Sequence, residues 1–222
     1  MKTPLSNHPR NSQSGFSLIE LLVVIAIIGA LASLVVGLSS VTSSRSRESR
    51  VRAELNQYLS AIENFKNQFG YYPPDGLSGT NANASLNPLY YELSGTVVDN
   101  NARTFQAGNG QPISTASVRA VFGREGFVNA AVQAKELKPL LANWKASQTK
   151  NVTINGVQIQ LLTVPVDLRP TDAPVIPGVG NQRVNPWRYV STNPTNNPAS
   201  FDLWAEVPIG KNQLRVIGNW KE

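Results

Sequence analysis

One stretch constrains this chain more than any other: Gly15-Phe16-Ser17-Leu18-Ile19-Glu20-Leu21-Leu22-Val23-Val24-Ile25-Ala26-Ile27-Ile28-Gly29-Ala30, which sets a single carboxylate at the head of an apolar run. No further charge occurs until Arg45, and Ser33 is the only polar side chain between Leu21 and Leu38. About 20 helical residues cross a bilayer core of about 30 Å, so Leu18 to Val41 is a transmembrane candidate. Gly29 and Gly37 each weaken a helix by roughly 1 kcal/mol relative to Ala, a cost tolerated more readily in lipid. Glu20 is the costly residue, because an ionised acid in an apolar setting needs a partner of opposite sign or a route to the headgroups.

Residues 1–14 are polar, hold two prolines, and show no helical or strand period, so they read as a leader. The small residue precedes the apolar run, the reverse of a secretory signal, and cleavage at Gly15 would leave the apolar segment on the mature chain. A chain beginning at Phe16 would carry its α-amino group one helical turn before Glu20. The formal charge of +6 falls to +4 once residues 1–15, which hold Lys2 and Arg10 and no acid, are removed. Arg45, Arg47, Arg50 and Arg52 form a basic run that could meet phosphate or lipid headgroups but is more simply the solvated flank of a helix. Counted as membrane flanks, these arginines outweigh the leader and favour the orientation opposite to a cytoplasmic leader.

Beyond the apolar run, Val51, Leu55, Tyr58, Leu59, Ile62, Phe65 and Phe69 recur at three- and four-residue intervals among polar residues. This predicts an amphipathic continuation ending at Gly70, where Tyr71-Tyr72-Pro73-Pro74 cannot propagate a helix. Unbroken from Leu18 to Phe69, such a helix would be roughly 75–80 Å long. The expected organisation is a leader over 1–15, a membrane or filament-core helix over 16–41, an amphipathic continuation over 42–70, and a globular head over 71–222. The fold class is α+β. Within the head, Leu77 to Gly110 reads as loop with brief ordered pieces such as Leu86 to Leu93. The apolar spacing predicts a second helix over Asn129–Lys145, and Val152 to Leu161 reads as a hairpin turning at Asn155-Gly156. Asp167 to Asn181, rich in Pro and Gly, reads as an irregular loop.

The stretch from Gly15 to Ile25 resembles the class III signal of type IV pilins and type II secretion pseudopilins. The resemblance implies a pilin fold: a long helix packed on a small antiparallel sheet. It also implies cleavage by a prepilin peptidase between Gly15 and Phe16, N-methylation of Phe16, and neutralisation of a neighbour's Phe16 amine by Glu20. Partners implied are the peptidase, other pilin or pseudopilin subunits and, indirectly, an assembly platform and ATPase. The implied location is the inner membrane, single-pass, with the head in the periplasm. Asn185-Pro186-Trp187-Arg188-Tyr189-Val190, Phe201-Asp202-Leu203-Trp204 and Ile217-Gly218-Asn219-Trp220 resemble the tail of the major pseudopilin, and the same tryptophans would serve as core anchors of a small antiparallel sheet.

This chain departs from that family in three places. Gly37 stands where a proline is common, residues 77–183 form a long insertion, and the Glu206–Arg215 loop has too few acids for the family's calcium site. No cofactor is expected. An enzyme is disfavoured, since cysteine is absent and the lone histidine, His8, lies in the leader. The reading is a filament subunit, with a type II secretion pseudopilin ahead of a type IV or competence-type minor pilin. A membrane-anchored envelope binding module is the alternative from another class, and nucleic acid is a disfavoured partner.

Overall fold

The structure is a computed structural model that describes residues 16–76, 83–108, 110–169, 176, 179, 183–209 and 213–220, with the side chains of 34–44 outside the description. The chain divides into two compact units, Met1–Ser43 and Ser44–Glu222. Helix α1, Leu18–Phe69, has residues in both. Among the described residues no helix is long and apolar enough to cross a membrane. The span expected over 16–41 is therefore unsupported here, and its second half, with Gly37, lies among the side chains left undescribed.

In the larger unit the heptad-like spacing of α1 does what its pattern demands. Val51, Leu55, Tyr58, Ile62 and Phe65 fall on one face and are buried, Leu59 and Phe69 are half-buried, and the residues between them are mostly exposed. Each large apolar side chain so buried contributes roughly 1.5–3 kcal/mol. The helix stops at Gly70, whose φ of 84° lies in the left-handed region and whose N–H donates to Lys66 O at 2.7 Å. From there Pro73 is clamped, with Tyr189 Oη and Ser191 Oγ both donating to its carbonyl at 2.7 and 2.9 Å. Asp75 accepts from the backbone N–H groups of Ser191 and Thr192, both at 2.7 Å.

Where one small sheet was expected, the described residues of the head form three, and one of them is not wholly antiparallel. Helix α2, Leu89–Ser94, leads into β1 (Thr96–Asp99), β2 (Thr104–Gln106), β3 (Ile113–Ser114), α3 (Thr115–Phe122) and β4 (Ala130–Ala131). These strands lie in the order β3-β2-β1-β4, with β4 parallel to β1. The hairpin β5 (Thr149–Ile154) and β6 (Val157–Leu162) turns at Asn155 and Gly156, whose φ values of 49° and 82° are those of a type I′ turn. The tail forms an antiparallel meander, β7 (Arg188–Val190), β8 (Asp202–Ile209) and β9 (Gln213–Gly218). Residues 77–183 thus carry more regular structure than their Asn, Gly and Ser content suggests, while most of 170–182 falls outside the described residues.

The helix expected over Asn129–Lys145 does not form. Ala130 and Ala131 pair with Thr96 and Val97, only Ala134–Glu136 make a 3-10 turn, and the N–H groups of Leu140 and Leu141 both donate to Leu93 O. Backbone donors that a helix would need are taken by α2 and β1, and Pro139 supplies none. Val132, placed on the expected apolar stripe, is 62% exposed. Leu140, Leu141 and Trp144 still pack on the core, so the apolar residues were informative about burial and misleading about helix.

The tail sequence has a local physical logic. Asn219 caps the meander by accepting from Leu203 N at 2.9 Å and donating to Phe201 O at 2.8 Å, replacing a missing strand partner. A Cβ at Gly218 would lie 2.7 Å from the Trp220 ring, which folds back over it and meets Trp204 at 5.8 Å between centroids. Trp187 is fully buried, whereas Trp204 and Trp220 are half-buried, so only the first is a core anchor in the full sense. Asn219→Ala removes both side-chain bonds and should lower the stability of the head by about 1–3 kcal/mol, measured by denaturant unfolding followed by tryptophan fluorescence.

Beneath α1 lies a polar flaw in this core. Glu54 is half-buried beside the Trp187 indole and Tyr58, with Lys145 and Gln148 nearby, and among the described residues Glu54 Oε2, Tyr58 Oη and Trp187 Nε1 have neighbours but no hydrogen bond of good geometry. Burial pushes the Glu54 carboxyl up to about 7, against the smaller pull of the Trp187 indole and the Lys145 charge. A carboxyl raised in the folded state favours folding while protonated and opposes it once ionised, so stability should fall as pH climbs from near 4.5 through 7. Glu92, fully buried and raised to about 7 by burial, contributes a loss of the same sign. Thermal unfolding of Glu54→Gln should therefore match the parent near pH 5 and exceed it at pH 8, by about 2–4 °C for each kcal/mol recovered.

Candidate assembly site at the N-terminal helix

The first turn of α1 is a closed capping box. Ser17 N donates to Glu20 Oε2 at 2.8 Å and Glu20 N donates back to Ser17 Oγ at 3.3 Å. The Ser-x-x-Glu spacing satisfies two backbone donors that a helix start otherwise leaves open, and it places a carboxylate at the positive end of the helix dipole. Leu21 N adds a bond to Ser17 O at 3.3 Å. The Glu20 carboxylate is thus held on the N–H of Ser17, the residue next to Phe16, which is 85% exposed. Gly15 lies outside the described residues. The structure describes Phe16 and Glu20 within the start of α1 and leaves the third sequence-derived site residue undescribed. Ser17 was missed by reasoning that weighed only the charge of Glu20, although its spacing was in plain sight.

Following the cap, α1 is exposed and apolar on every side. Leu18, Ile19, Leu21, Ile25, Ile28 and Leu31 are all more than half exposed. A helix apolar all round has no amphipathic solution in water and requires lipid or other helices as cover. Within this segment Ser33 Oγ donates to Ala30 O at 2.7 Å, hiding its polarity in the helix's own backbone. A side chain at Gly29 would meet nothing within 4 Å, so no contact inside the chain demands glycine there.

The larger unit offers further polar structure that sequence reading passed over. Arg188, buried, pairs with Glu206 at 2.9 Å, and burial lowers the Arg188 pKa against the opposing effect of the Glu206 charge. The one acid of the loop weighed for calcium is thereby engaged by a guanidinium, while residues 210–212 lie outside the described residues. Asn185 donates to both Val166 O and Glu206 O at 2.8 Å, bracing the entrance to β7. These residues hold the head together, and the exposed helix is the feature left without cover.

Residues 10–36 match the family model described as the prokaryotic N-terminal methylation motif. Type IV major fimbrial proteins FimA of Dichelobacter nodosus are 44% identical to it over 54 residues, which is 24% of this chain and 35% of the fimbrial protein. Another FimA of the same organism shares the same identity over 34% of its length. The chain thus spans about a third of the length of the curated relatives it matches. No solved structure matches.

If the capping box organises the first turn, Ser17→Ala should fray it at a cost of about 1 kcal/mol. Amide exchange at Ile19 and Glu20 should speed accordingly, while amides of the head core keep their protection.

Proposed function

We propose that this chain is a structural subunit of a periplasmic or surface filament, processed by a prepilin peptidase between Gly15 and Phe16 and N-methylated at Phe16. The observation that carries the proposal is the methylation motif at residues 10–36 heading a helix exposed and apolar on every side. After cleavage the Phe16 amine and the Glu20 carboxylate stand within one helical turn, and the apolar segment is stored in the inner membrane with the head in the periplasm. During assembly Glu20 neutralises the amine of a neighbouring subunit, and the helices cover one another in the filament core. Such an array is heterologous and open. The platform protein and ATPase of the assembly machine act on it indirectly.

Within this class a type II secretion pseudopilin is favoured over a type IV or competence-type minor pilin. Support comes from the tail, where Asn219 and the Trp220–Gly218 stack close the meander β7–β9 and give the Ile217-Gly218-Asn219-Trp220 resemblance a structural role.

Two measurements test the proposal. Mass spectrometry of the mature chain should find methyl-Phe16 as its first residue, and a chain still beginning at Met1 in cells with an active peptidase would sink the processing claim. Glu20→Ala should be cleaved and retained in membranes yet fail to form filaments, a loss of at least about tenfold in assembled subunit, since an unpaired amine in an apolar filament core is costly. Normal assembly of that variant would refute the pairing.

A further inference from the structure

The larger unit begins with a ring of arginines around α1. At about 100° per residue, Arg45 and Arg52 share one side of the helix, and Arg47 and Arg50 lie close together on nearly the opposite side. All four are exposed. A fifth comes from a distant part of the sequence, because Arg215 on β9 donates to Glu48 Oε2 at 2.7 Å. Glu48, the only acid inside the run, is also bound by Arg52 at 3.0 Å. Shared by Arg52 and Arg215, it leaves Arg45, Arg47 and Arg50 without an ion pair among the described residues. Arg52 and Arg215 themselves keep about half of their side-chain surface exposed, at 51% and 47%.

Positive charge on both sides of one helix suits a plane that the helix passes into, not a rod lying along one face. A nucleic-acid duplex or an acidic protein groove would reward a one-sided stripe. A sheet of phosphodiester headgroups rewards every azimuth, and the planar guanidinium fork binds phosphate oxygens in pairs. The chain leading into the ring has no charged residue from Leu21 to Ser44 and carries the exposed apolar residues Leu21, Ile25 and Leu31.

We propose that Arg45, Arg47, Arg50, Arg52 and Arg215 form a collar that binds the anionic phosphate headgroups of the lipid surface from which the subunit is drawn. The proposal rests on the membrane-stored filament subunit argued above. It gives the arginine flank a use on the side where a membrane-insertion bias would not place it. It also makes release from the lipid dependent on how many anionic headgroups must be given up, and so on ionic strength.

The chain has no cysteine, so Ser46→Cys, at an exposed position inside the collar, accepts a single fluorescent label. The labelled full chain is reconstituted into phosphatidylcholine vesicles, or into vesicles with about a third phosphatidylglycerol, each doped with lipid bearing a nitroxide on its headgroup. Flotation in both vesicle types, with quenching about threefold higher in the anionic vesicles and lowered by high salt, is the expected result. Arg45→Gln, Arg47→Gln and Arg50→Gln together should abolish the difference, while Lys135→Gln with Lys138→Gln, exposed elsewhere on the head, should not. An unchanged circular dichroism spectrum and thermal midpoint of the triple variant would tie its loss to charge and not to fold. Flotation in both types with equal quenching would overturn the collar and leave membrane storage standing. Flotation with anionic vesicles alone would support the collar and overturn storage as a span, and flotation with neither would overturn both. Salt-sensitive capture of a short DNA duplex by the chain in detergent, without any difference between the vesicles, would overturn the collar in favour of nucleic acid.

Discussion

The head depends on the burial of one face of α1, and Tyr58 is the residue on which that contact turns. Its ring is fully buried and meets the indole of Trp187 edge-on at 5.3 Å and that of Trp144 at 6.2 Å. Trp187 stands at the entrance to β7, and Trp144 belongs to the segment that runs from β4 to the hairpin β5–β6. One helical side chain thus gathers the tail meander and the middle of the head around the same axis. The price of that convergence is polar: Tyr58 Oη, Trp187 Nε1, Trp144 Nε1 and Glu54 Oε2 are buried without a hydrogen bond of good geometry among the described residues. Apolar and aromatic packing must outweigh these losses.

Around this core, loop ends are secured by single polar side chains, each taking the place of a missing strand. Asp75 holds the turn of β7, Asp202 accepts from the backbone N–H groups of Asn196 and Asn197, and Asn219 closes the last strand. Glu92 does the same inside the fold by accepting from Val128 N and Asn129 N. A chain without cysteine has no covalent means of fixing such loops, so buried acids and amides do so through the backbone. The same economy appears at the other end of α1, where Ser17 and Glu20 satisfy each other's N–H. In the filament proposed above, the Glu20 carboxylate would have to serve both its own helix start and a neighbour's charge, and a carboxylate has enough lone pairs for both.

Much of this was open to sequence reasoning because it is local. The period of α1, its stop at Gly70, the Asn155-Gly156 turn and the carboxylate at Glu20 each follow from residues within a turn or two of one another. The absent helix at Asn129–Lys145 shows where that reasoning ends. Its apolar spacing was real, yet Asn129 donates from its side chain to Glu92 O and Lys138 O while Leu93 O takes the Leu140 and Leu141 donors. Glu92 and Leu93 are far away in sequence, and a backbone N–H given to Leu93 O cannot also donate within a helix. Arg215 is a parallel case: nothing near it in the chain announces that it will complete a ring of arginines on α1.

By itself, then, the sequence determined the long helix, the place where it ends, the apolar segment with its single acid, and the methylation motif at the N-terminus. Each is encoded by periodicity or by a contiguous run, and each is realised by contacts along one helix. Only the tertiary structure decided that the described residues of the head would form three sheets with a parallel pair, that Glu54 would be trapped against Trp187, and that Arg188 would take Glu206. These arise when distant segments compete for the same hydrogen-bonding groups and the same buried space. The winner of that competition is set by packing in three dimensions, which no short window of residues contains.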